Sequence, residues 1–87
     1  MIAFLDQWGP FAPDLRPAER VERLRALRAI TRLLLGPAGE GLTKLLALSE
    51  IDPDPSTLRC AVDLINAMPS LDRRKILASY GALNRPA

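Results

Sequence analysis

Pro17 opens and Gly36-Pro37 closes one unbroken helical run, PAERVERLRALRAITRLLL, and this bracket constrains the chain more than any other feature. A proline in the first turn loses no hydrogen bond, because the first N–H groups of a helix have no partner inside it. Glu19 and Glu22 lie near the positive end of the helix dipole, and Arg28 and Arg32 lie toward the negative end. Leu24, Leu27, Ile30 and Leu34 recur at helical spacing, with Ala26 and Leu33 widening the stripe. The spacing predicts a helix over 17–35, roughly 27 Å long at 1.5 Å per residue. The rest of the chain must pack upon it.

Downstream, the pattern predicts shorter helices. LTKLLALSEI reads as a helix over 42–51, with Leu42, Leu45, Leu46 and Ser49 inward and Leu48 and Ile51 adding apolar surface. Gly36–Gly41 (GPAGEG) reads as its connector, because it has neither the dinucleotide-fingerprint nor the Walker spacing and follows a helix rather than a strand. Pro53 and Pro55 stop that helix, and Asp54 or Ser56 caps the next, over 55–68. Leu58, Ala61, Val62, Ile65 and Met68 form its stripe. A last helix spans 71–83, with Ser70 as its cap and Ile76, Leu77, Tyr80 and Leu83 buried. Period-2 alternation of β-branched residues is absent, so the expected class is all-α: one domain over 1–87, a small bundle of four main helices. Residues 1–16 form an aromatic N-terminal arm, or a short helix, followed by a proline-rich linker in which Asp14 would cap the long helix if it began at Leu15.

Composition narrows the function. Histidine is absent, which removes the commonest general base near neutral pH and the Ser–His and Cys–His nucleophile pairs. Asp52 and Asp54 lack the glycine and terminal glutamate of a calcium loop. No catalytic constellation is legible, so the expectation is a non-enzyme with no cofactor and no metal. One cysteine, Cys60, excludes an internal disulfide and suits a reducing, cytoplasmic setting. The N-terminus lacks the basic start and cleavage site of a secretory signal, and the longest apolar run is interrupted by Arg32, so no transmembrane segment is expected. Twelve basic and ten acidic residues leave a net charge of only +2, which does not by itself call for nucleic acid.

Two recognition surfaces stand out. Phe4, Trp8 and Phe11 place three of the four aromatics in the first eleven residues, either folded back on the core or offered to a partner. Arg25, Arg28 and Arg32 share a stripe opposite the apolar arc of the long helix, suited to carboxylate or phosphate. These six residues are the expected partner-binding set. The leading expectation is a small helical protein–protein interaction module, a bacterial or phage regulator, adaptor or inhibitor. The alternative is a helix-turn-helix-like DNA-binding regulator using the basic start of the last helix, Ser70, Arg73, Arg74 and Lys75. A basic start opposes that helix's own dipole, so Arg73–Lys75 should meet something negative, with Asp63 and Glu50 as internal candidates. The apolar arc of the long helix is broad enough to suggest a homodimer packed through it.

Overall fold

The structure, a computed structural model, describes residues 9–12 and 15–84. Phe4 and Trp8, with the rest of residues 1–8, lie outside the described residues, as do Asp14 and the side chain of Leu83. Among the described residues the chain is helical, without a strand. Helix α1 runs Pro17–Leu35, α2 Glu40–Ile51, α3 Pro55–Ala67 and α4 Ser70–Asn84, with a 3₁₀ turn at Gly36–Gly39 between α1 and α2.

Helix α1 has the bounds its sequence implies. Arg16, in extended conformation, is its N-cap residue and makes no side-chain cap, so the earlier start at Leu15 is not taken. At the other end Gly36 adopts φ 54° and ψ −131°, a mirror-image region closed to side-chain-bearing residues, while its N–H still donates to the Arg32 carbonyl. The chain turns sharply there, and Pro37 enters the 3₁₀ turn at its start.

Helix α2 begins at Glu40, two residues before the expected Leu42. Gly41 reads as a turn residue, yet a glycine inside a helix costs only about 1 kcal/mol, which packing outweighs. Its bare Cα faces the Leu64 side chain of α3, 3.8 Å from where a Cβ would stand. At α3, Asp54 is the cap: its carboxylate accepts the Ser56 N–H at 3.0 Å, and Pro55 takes the first turn. The helix ends at Ala67, one residue short of the expected Met68, which is already extended. In α4, the Arg73 N–H bonds the Pro69 carbonyl, so Ser70 is the first helical residue and not the cap.

Helices α1 and α2 fold against each other as an antiparallel hairpin, α4 packs on α1, and α3 packs on α2. The shared core holds Leu24, Leu27 and Ile30 of α1, Leu42 and Leu46 of α2, Ala61 and Ile65 of α3, and Ile76 and Tyr80 of α4. Two hydroxyls are sealed in with them. Thr31 Oγ1 donates to the Leu27 carbonyl and Ser49 Oγ to the Leu45 carbonyl, each at 2.8 Å, so burial strands no polar atom.

Two expectations change at this level. Leu34 drops out of the buried stripe and Leu33 does not widen it: Leu33 is 83% exposed and Leu34 also faces outward. Thr31 takes the inward position instead, because α2 and α4 flank the arc centred on Leu27 and leave the Leu33 side open. Within one chain the core covers Leu24, Leu27 and Ile30 of the arc that suggested pairing through the long helix, and Leu33 and Leu34 stay outside it.

Candidate functional site

Phe11 belongs to the core and not to a presented arm. The Gly9–Ala12 segment makes a turn, Ala12 N–H to Gly9 carbonyl at 3.4 Å, and is pinned to α1 by two arginines. Arg20 Nη1 donates to the Pro10 carbonyl at 2.9 Å and Arg23 Nη1 to the Gly9 carbonyl at 3.1 Å. These clamps hold Phe11 buried against the helices. Of the aromatic set, Phe11 is therefore spent on folding, and Phe4 and Trp8 lie outside the described residues.

The arginine stripe is partly spent as well. Arg28 donates Nε to Glu50 Oε2 at 2.5 Å and Nη2 to Oε1 at 3.2 Å, a two-pronged contact across the α1–α2 seam. Arg25 Nε reaches the same Oε1 at 3.4 Å. The Glu50 side chain is only 9% exposed, so one carboxylate is enclosed by two guanidiniums. Two guanidiniums against one carboxylate leave a positive surplus, carried outward by exposed Arg25. Arg32 stands exposed farther along the same stripe, lining a shallow groove with Gly36, Pro37, Glu40, Thr43 and Lys44. Elsewhere on α1, Glu19 and Arg23 pair at 3.5 Å, one turn apart.

The basic start of α4 is divided in the same way. Arg73 turns back across the α3–α4 corner and donates Nη1 to the carbonyls of Asn66 at 3.2 Å and Met68 at 3.1 Å. The negative partner of Arg73 is thus the C-terminal end of α3, and neither Asp63 nor Glu50: Glu50 is held by α1. Ser70, Arg74 and Lys75 are exposed.

The sequence reading missed the outer face of α2. Lys44, Leu48 and Ile51 follow i, i+4 and i+7 and form one ridge opposite buried Leu46. Leu48 is 51% and Ile51 83% exposed. The signal was present, because counting from Leu42 and Leu46 puts both on the far side of the helix. Cys60 is likewise exposed, on α3.

Among the described residues no group of three or more His, Cys, Asp or Glu is placed to hold a metal ion, and no helix is long and apolar enough to cross a membrane. No family model, curated protein or solved structure matches the chain.

Proposed function

We propose that this chain is a small helical module that acts by binding another protein, as a regulator, adaptor or inhibitor, and not as an enzyme. The observation that carries the reading is the set of large apolar side chains left outside the core: Leu33, Leu48, Ile51 and Leu71 are each more than half exposed. Scattered exposed leucines are ordinary, but a pair on one helical ridge, Leu48 and Ile51, is the kind of surface that partners cover. Arg25 and Arg32 remain in the proposed contact set, and Phe11 and Arg28 leave it because both are engaged within the fold.

The helix-turn-helix alternative is weaker than its sequence suggested. Of its three cations, Arg73 is committed to main-chain carbonyls. Exposed Leu71 also sits beside the surface that would face phosphates.

The test is capture from native extract with and without nuclease, using wild type and the double variant Leu48→Ser/Ile51→Ser. The expected result is a stoichiometric protein that survives nuclease and is lost with the double variant, whose urea midpoint stays at the wild-type value. Recovery of nucleic acid alone would reverse the order of the two readings.

A further inference from the structure

We infer that the α1–α2 hairpin is a docking face for an acidic amphipathic helix of another protein; this rests on the protein-binding reading and names the partner's chemistry. The face is built from two antiparallel edges. One edge is Arg25 and Arg32, two turns apart on α1, roughly 10 Å at 1.5 Å per residue. The other is the ridge Lys44, Leu48, Ile51 on α2, whose ends are also seven positions apart. Because the helices run in opposite directions, Arg32 faces the Lys44 end, where both line one groove of about 380 Å³. Arg25 faces the Ile51 end, where it meets Glu50, the residue before Ile51.

Charge selects the partner's sign. Four cations, Arg25, Arg28, Arg32 and Lys44, stand against Glu50 and Glu40 within the face; exposed Glu22 and Asp52 lie just past its Arg25–Ile51 end, so the positive surplus sits at the Arg32–Lys44 end. Glu50 is enclosed by its two arginines, and Glu40 spans one turn to Lys44 at 3.2 Å in a pair exposed on both sides. An exposed pair of that kind exchanges readily for another carboxylate, because it is worth little to the fold. Apolar content selects the partner's class. Leu48 and Ile51 continue the α2 ridge past Lys44 and have no counterpart on a phosphodiester backbone, whereas a helix with leucines along one face and glutamates on its flank matches both features. Such a helix lies along the hairpin with its apolar stripe on the Leu48–Ile51 ridge and its acids toward Arg25 and Arg32. The part-buried Arg28–Glu50 contact ties the two edges of the face together.

The probe is a fluorescein-labelled synthetic helix of eighteen residues, leucine on one face and glutamate on both flanks, with a twin carrying lysine for glutamate. Anisotropy titrations are run on the full chain and on Arg32→Glu, Ile51→Ser and Leu71→Ser, with urea midpoints measured beside them. The expected result is saturable binding of the acidic helix only, weakened about tenfold or more by Arg32→Glu and by Ile51→Ser and unchanged by Leu71→Ser. Absence of binding, equal binding of the lysine twin, or indifference to both hairpin variants overturns the assignment. So does preference for duplex DNA, or a dimer abolished by Ile51→Ser. If the acidic helix fails while capture of a natural protein partner depends on Leu33 or Leu71, the module reading stands and only this face is wrong. If no protein is captured through any of these residues, the module reading falls with it.

Discussion

Arg28 and Glu50, twenty-two residues apart in sequence, meet through two parallel hydrogen bonds that tie the middle of α1 to the last turn of α2. The planar guanidinium fork matches the carboxylate edge, and both groups are largely withdrawn from water. Removing one partner leaves the other charged and poorly solvated. Glu50→Ala is therefore expected to cost about 2 kcal/mol, more than an exposed ion pair would. A double-mutant cycle with Arg28→Ala, followed by urea unfolding, should return a coupling of about 1 kcal/mol or more. Additive effects would mean that the contact contributes nothing in solution.

Gly39 should tolerate no side chain. A Cβ there would stand 2.9 Å from the Leu35 Cβ and 2.9 Å from the Thr31 Cγ2. Leu35 Cβ is fixed to the α1 backbone and cannot swing aside. Gly39→Ala is expected to lose about 1–3 kcal/mol, the usual range for overpacking, and urea unfolding measures it directly. Gly41→Ala is the control, since its Cβ meets only Leu64 at ordinary contact distance and alanine favours a helix interior.

The three cations at the start of α4 should separate cleanly. Arg73→Ala removes two hydrogen bonds to the end of α3 and is expected to cost about 1 kcal/mol. Arg74→Ala and Lys75→Ala, both exposed, should change stability by less than about 0.5 kcal/mol. A folding defect confined to Arg73 would confirm its structural role. Equal, stability-neutral loss of duplex binding at all three would instead support the DNA-reading alternative.

Asp54 makes the stability of α3 depend on acid. The Ser56 side chain, then the Ser56 backbone, hydrogen-bond to its carboxylate and hold its pKa below the ordinary 3.8, partly opposed by desolvation. The folded pKa lies below the unfolded one, so the contribution is complete above 3.8 and is lost as pH falls through the lowered folded value. Asp54→Ala should therefore lower the urea midpoint at neutral pH, and the gap to wild type should close at the acid end. A gap that is constant with pH would show that the charge is irrelevant to the cap.

Legibility followed how local each cause was. The bounds of α1 could be read because Pro17, Gly36 and Pro37 act on their own backbone. The cap of α3 was open between Asp54 and Ser56, and both belong to the motif, one as acceptor and the other as donor. What escaped was set by distant contacts. Leu33 and Thr31 exchange the roles that hydropathy assigns them, because α2 and α4 cover one arc of α1 and the i−4 carbonyl satisfies a buried hydroxyl. The early start of α2 puts Gly41 inside the helix against its propensity. At the candidate site the arginine stripe was legible as a stripe, but its division was not. Nothing within a helical period connects Arg28 to Glu50 or Arg73 to the Asn66 carbonyl.

The 3₁₀ turn at Gly36–Gly39 also bears on the entropy of closing the fold. Closing a chain segment costs entropy that grows with its length. The α1–α2 contact closes over these four residues, whereas α1 reaches α4 only after the whole of α2 and α3. The α2–α3 pair closes over a similarly short joint, Asp52–Asp54, so both neighbouring pairs cost little chain entropy to bring together. The same short turn that sets the hairpin's geometry therefore also keeps small the loop entropy that the pair must give up.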